Sequence, residues 1–180
     1  MRRLGCVALL AVLAAACASP ARPATRAAVT TSLGGTDVAW TQLMIPMTAQ
    51  AVSLLGLTAA RASSPGLPAL ATRLRSDYRA DLARLRAVLS RAGIAETHEH
   101  DGHDLPGMVT PADLATIGAG TGPGFDALAA RHLREEMEQS VRLARSEQRS
   151  GHSPECTALA ASIERARGSA LARLSAVIGP

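Results

Sequence analysis

The chain contains no lysine, and only one tryptophan, one tyrosine and one phenylalanine among 180 residues. Without lysine there is no phosphate-binding loop, so Gly118, Gly120, Gly122 and Gly124 share only glycine content with one. They predict instead a mobile connection leading to Phe125. So few aromatic side chains cannot build a stacking platform for bases. All 19 basic residues are arginine and are interspersed with 15 acids, with no basic stripe, so nucleic acid is not an expected partner. Catalytic signatures are missing too. No G-x-S-x-G or H-E-x-x-H occurs, and Asp113, His132 and Ser140 are scattered along the chain. The expectation is a protein that is not an enzyme.

What is present begins at the N-terminus. Met1-Arg2-Arg3 precedes an uncharged apolar run over residues 4–16, too short to cross a bilayer, where about 20 residues are needed. It has the length of a signal-peptide core ending in small residues, which predicts an exported bacterial protein and a signal peptide over 1–16. Leu13-Ala14-Ala15-Ala16-Cys17 resembles a lipobox, whose cysteine is diacylated and becomes the mature N-terminus. The competing reading is an ordinary A-x-A cleavage site that leaves Cys17 as an incidental thiol. The lipobox predicts attachment to the cell membrane through lipid, facing the extracytoplasmic side. Residues 17–35, rich in Ala, Pro, Thr and Ser, read as a flexible tether. Cys6 leaves with the signal peptide, and Cys156 alone cannot form an internal disulfide beside a lipidated Cys17. Packing must hold the fold, and 36–180 is long enough for one domain with one core.

An internal repeat runs at an offset of 89 residues. Gln50, Val52 and Leu54 match Gln139, Val141 and Leu143. Ser64-Pro65 matches Ser153-Pro154, and Leu82-Ala83-Arg84-Leu85 matches Leu171-Ala172-Arg173-Leu174. Each half reads as two helices around the Ser-Pro break. Helix one, capped by Thr36 or Asp37, carries Trp40, Met44, Met47, Ala51, Leu54 and Leu55 at three-to-four spacing. Pro46 lies inside it, where a bend is expected. The stripe of helix two is Leu67, Leu70, Leu74, Tyr78, Leu82, Leu85 and Leu89, ending at Gly93. A polar segment and a short helix from Thr110-Pro111 follow. Helix three, from about Phe125, faces inward with Ala130, Leu133, Met137, Val141 and Ala144. Helix four carries Cys156, Leu159, Ile163, Ala166, Ala170, Leu174 and Val177. These stripes predict an all-α four-helix bundle built from two hairpins (36–93 and 123–178) joined by a connection over 94–122.

Three segments resemble the bacterial "domain of unknown function 305" family: LMIPMTAQAVSLL in helix one, Leu105-Pro106-Gly107-Met108, and FDALAARHLREEMEQSVRLARSE in helix three. The resemblance covers about residues 37–178 and implies a ferritin-like fold in an exported protein. It also implies metal ligation by a His-His pair in helix one and another in helix three. Here those pairs fall on Met47-Thr48 and Glu136-Met137, so the family's ligands are absent and flexible apolar side chains refill the pocket.

Three candidate sites remain. His98, His100 and His103, interleaved with Asp101 and Asp104, could gather around Cu(II), Zn(II) or Ni(II), with Gly102 as the turn. The opposing reading is a solvated loop whose ordering entropy leaves only weak binding. Met44, Met47, His132, Glu136 and Met137, with Glu135 nearby, could form a softer Cu(I) site, unless the methionines pack the core and His132 and the glutamates sit at its solvated edge. Cys156 is either a buried hydrophobe or a thiol activated by its helix N-terminus. The function expected is therefore a lipid-anchored extracytoplasmic bundle holding a transition metal through the histidine loop. The alternative is an interaction scaffold for an envelope protein that has lost the ancestral metal site.

Overall fold

The computed structural model describes residues 33–100 and 103–178. The signal run, Cys17, the tether to residue 32, and Asp101 with Gly102 lie outside the described residues. Among those described are five helices and no strand: α1 (Gly35–Arg61), α2 (Leu67–Arg91), α3 (Pro111–Ala119), α4 (Gly122–Ser150) and α5 (Pro154–Ile178). The all-α bundle expected from the stripes is the fold observed. α1 packs on α2 and α4 on α5, and the hairpins meet through α1 with α4 and α2 with α5.

α1 is long and apolar enough to pass for a membrane span, with a mean hydropathy of 1.5, but it belongs to the core of this bundle. Its cap differs from the expected Thr36 or Asp37. The helix starts at Gly35, and Asp37 reaches back to accept the Gly34 N–H at 2.7 Å. The helix continues through Pro46, which is buried and leaves one carbonyl without its usual donor. α2 stops as its sequence demands. Gly93 takes φ +68°, its N–H donates to Ser90 O, and the Ile94 N–H donates to Leu89 O at 3.0 Å. α4 begins three residues earlier than expected, because Thr121 supplies a non-helical cap and Pro123 fits a first helical turn. The glycine stretch is thus mostly helix, with Gly120 and Thr121 between α3 and α4.

The core forms two apolar clusters. One gathers Leu54, Leu55, Leu70, Leu74, Phe125, Leu133 and Met137. The other gathers Trp40, Met44, Ile45, Leu85, Leu89, Cys156 and Ile163. The connection straps the α1–α4 seam lengthwise. Gln42 receives the Thr97 N–H at 2.9 Å near one end of the bundle, and Gln50 accepts the Val109 N–H at 3.1 Å. Arg61 holds the Gly120 carbonyl at 2.9 Å at the other end.

Gly107 sets how closely this strap lies on α4. Its φ is +82°, and a Cβ there would stand 2.5 Å from Gln139 Cβ and 3.1 Å from the Glu135 carbonyl oxygen. Gly107→Ala is expected to cost about 2–3 kcal/mol, combining an unfavourable φ with a backbone collision. Urea unfolding followed by circular dichroism would show it; an unchanged midpoint would mean that the strap moves freely.

Candidate functional site

Between the two apolar clusters lies a buried polar layer. Glu136 of α4 is fully buried and accepts hydrogen bonds on both oxygens, from the Tyr78 hydroxyl and from Ser140 Oγ at 2.7 Å. Arg167 of α5, 1% exposed, sets its guanidinium 3.3 Å from the centre of the Tyr78 ring and donates Nη1 to Asp81 Oδ2 at 3.0 Å. Its Nε and Nη2 meet no hydrogen-bond acceptor among the described residues, and the face of Tyr78 supplies their electrostatic contact. Burial pushes the Glu136 carboxyl above its ordinary range, against the opposing pull of Arg167, Tyr78 and Ser140. Burial likewise raises the Tyr78 hydroxyl well above its usual value, aided by the neighbouring Glu136 charge.

Glu136 of this layer stands at one of the four positions where the resemblance puts a histidine. Met47, Thr48, Glu136 and Met137 are all buried. Tyr78 and Arg167 stand 89 residues apart, so they are equivalent positions of the repeat. The ring of one half now carries the cation of the other.

Each end of the bundle is closed by an aspartate of one hairpin gripping the break of the other. Asp126 accepts the backbone N–H groups of Ser63 (3.1 Å) and Ser64 (2.6 Å), together with both serine hydroxyls. Asp37, its repeat mate, accepts the N–H groups of His152 and Ser153, each at 3.0 Å. Burial alone would raise these carboxyls. The hydrogen bonds from Ser153 to Asp37 and from Ser64 and Ser63 to Asp126 win, and both sit below the usual carboxylate range.

The Asp37 end carries two further groups, Glu147 and Cys156, both buried. Neither carboxyl oxygen of Glu147 meets a hydrogen-bond donor. Burial first, and the adjacent Asp37 second, push it up to about 7. The folded state therefore keeps a proton that the unfolded chain, with an ordinary value of 4.5, releases. That contribution is fully present below the unfolded value and is lost as pH rises through about 7. In the metal-free protein, stability is expected to fall by about 1–2 kcal/mol between roughly pH 4.5 and 7.5, a figure discounted for the groove that Glu147 borders. Glu147→Gln should flatten that slope; a slope that persists would assign it elsewhere.

The expected candidates scatter. Met44 joins the Trp40 cluster and Met137 the Phe125 cluster. His132 lies at the edge, 3.8 Å from the exposed Glu135, rather than among the methionines. Only part of the solvated-edge reading survives, because Glu136 is wholly inside while Glu135 is out. In the histidine loop, the His100 and His103 rings stand edge-on with centres 5.8 Å apart, whereas His98, His103 and Asp104 are exposed. Among the described residues, the group whose ligand atoms converge is Asp37, Glu147 and Cys156, within 4.8 Å of one another. Cys156 is buried and its thiol is pushed up chiefly by burial, which favours the inert reading in the metal-free chain. Asp113, His132 and Ser140 do not form one site: Asp113 caps α3 through Thr110, and Ser140 serves Glu136.

The residues that pattern reading does not find are Arg167, Asp81, Asp126 and Glu147. The apolar spacing of helix four runs through Ala166, which is exposed, whereas Arg167 beside it is buried. The usable signal was the repeat, which places Arg167 opposite Tyr78 and Asp126 opposite Asp37.

The family profile described as "Domain of unknown function (DUF305)" matches residues 37–178. A DUF305 fragment from Deinococcus radiodurans superposes with a TM-score of 0.73 at 18% identity, covering 82% of this chain and 98% of that one. A DUF305 protein from Streptomyces coelicolor, whose name carries a secreted assignment, superposes with a TM-score of 0.69 at 16% identity, covering 78% and 90%. No curated protein matches the chain.

Proposed function

Because the chain belongs to the DUF305 family, we propose that it is an exported, lipid-anchored scaffold of the cell envelope that binds a protein partner and performs no catalysis. Its family metal pocket has been replaced by an internal ionic layer. The observation that carries this reading is Arg167, buried, bound to Tyr78 and Asp81, and acting on Glu136, which stands where the resemblance puts a histidine. A fixed guanidinium there supplies the positive charge that ligands would otherwise draw from a metal, and Glu136 is taken up by Tyr78 and Ser140. Such a layer offers neither an open coordination position nor a movable proton to a substrate. The lipobox at Cys17 and the secreted assignment of the Streptomyces relative support export.

The test combines two measurements on chain purified from its membrane. Mass spectrometry of the mature N-terminus should show diacylated Cys17, and elemental analysis should show no pair of iron or manganese ions per chain. An unmodified Cys17 would remove the anchor, and a stoichiometric metal pair would overturn the replacement of the metal pocket.

A second reading, Cu or Zn held by His98, His100, His103, Asp101 and Asp104, draws support from the proximity of the His100 and His103 rings. Replacing the three histidines by alanine should then lower Cu(II) and Zn(II) affinity in titration calorimetry; unchanged affinity sinks it.

A further inference from the structure

Three side chains from three helices meet at the end of the bundle where α2 gives way to the histidine segment. Asp37 comes from the first turn of α1, Glu147 from the last turn of α4 and Cys156 from the first turn of α5. One ligand atom of each lies within 4.8 Å of the others, and all three residues are buried. We propose that Asp37, Glu147 and Cys156 form a zinc(II) site that clamps the first hairpin to the second. This deepens the scaffold reading and does not depend on the histidine loop.

The ligand set suits a borderline-soft ion, one sulfur with carboxylate oxygens, as zinc accepts. Glu147 supplies the sharpest sign. It is 1% exposed, and neither of its oxygens meets a donor. A buried carboxyl with no donor is costly unless it holds a proton or a cation. Asp37 is already held in place, with Oδ1 accepting His152 N and Ser153 N and Oδ2 accepting Gly34 N, so its carboxylate faces Glu147 in a fixed orientation. Gly151 is what lets the Glu147 carboxyl lie against the chain break, since a Cβ there would stand 2.7 Å from its carboxyl carbon.

The opposite end of the bundle provides an internal control. There Asp126 makes the same grip on the chain break, while Thr58 and Leu67 stand at the repeat positions of Glu147 and Cys156. The grip therefore forms without a second carboxyl or a thiol, and this end carries both in addition. A groove of about 550 Å3 borders Glu147 and is walled by Trp40, Leu43 and His100. Solvent entering by this groove would supply the fourth ligand. Zinc entry forms one Zn–S and two Zn–O bonds and releases two protons to solvent, one from the Cys156 thiol and one from Glu147.

The probe is Co(II) titrated into the full lipidated chain in detergent, followed by absorption and then by competition with Zn(II). One equivalent should produce a thiolate-to-cobalt charge-transfer band that Zn(II) removes. Cys156→Ala should abolish the band, and Glu147→Gln should lower affinity by about tenfold or more, by analogy with lost supporting groups. Both variants are checked for helicity by circular dichroism. The triple alanine variant of His98, His100 and His103 should keep the band. No band, a band surviving Cys156→Ala, or full affinity in Glu147→Gln would overturn the site. Metal binding lost only in the histidine variant would overturn it too, while leaving the loop reading intact.

Discussion

Replacing Arg167 by leucine is expected to destabilise the domain by about 3–5 kcal/mol, measured by urea unfolding. The size follows from what stays behind. Asp81, 6% exposed, loses its 3.0 Å partner, Tyr78 loses the guanidinium on its ring face, and Glu136 loses the positive charge that opposes its burial. An unpaired buried charge costs far more than the pair contributes net, because desolvation is no longer offset. Glu136→Gln combined with Arg167→Leu should recover part of the loss, since the amide carries no charge and still accepts from Tyr78. Asp81→Ala alone should also be costly, because it removes the carboxylate that accepts from Arg167 and leaves that buried guanidinium without a hydrogen-bonded partner. A loss below about 1 kcal/mol for Arg167→Leu would mean that the layer relaxes into water and is not sealed.

The second large effect is expected at Asp126. Asp126→Ala removes the acceptor for the Ser63 and Ser64 N–H groups and for both serine hydroxyls. Hydrogen bonds to a charged acceptor contribute more than neutral ones, and these part-buried backbone donors lose a partner that holds them at the break. A loss of about 3 kcal/mol is expected. Asp126→Asn should be intermediate, since its amide turns two donors toward donors. Because the carboxyl is held below the usual range, its contribution is present above about pH 4 and disappears as pH falls through the folded value. Wild type and Asp126→Ala should therefore converge in acid. A gap that stays constant would show that the hydrogen bonds, and not the charge, set the effect.

The helices were legible because most inward positions are apolar. Leu54, Tyr78, Leu85, Leu133 and Leu174, each on a stripe drawn from spacing, are all buried. The candidate sites were less legible for the same reason. A hydropathy stripe counts Glu136, Glu147, Ser140 and Arg167 against burial, yet each sits at an inner position with a partner or a burial-raised carboxyl. Arg167 shows the limit most clearly. Its burial depends on Tyr78, Asp81 and Glu136, which lie on two other helices, and no local window contains them. That Met47, Thr48, Glu136 and Met137 are not histidines is read from sequence, whereas the layer of Tyr78, Asp81, Glu136 and Arg167 required the bundle to be assembled.

The two aspartate grips are reciprocal: Asp37 closes the break after α4, and Asp126 closes the break after α1. Neither hairpin therefore contains the group that satisfies its own turn. A single hairpin would leave that turn's backbone donors open until another hairpin arrived, and two identical copies would serve each other equally well. The duplicated chain thus behaves as a symmetric dimer fused into one polypeptide. The fusion released its halves from staying identical, so that one could keep Tyr78 while the other acquired Arg167, and one end could carry Glu147 and Cys156 while the other kept Thr58 and Leu67.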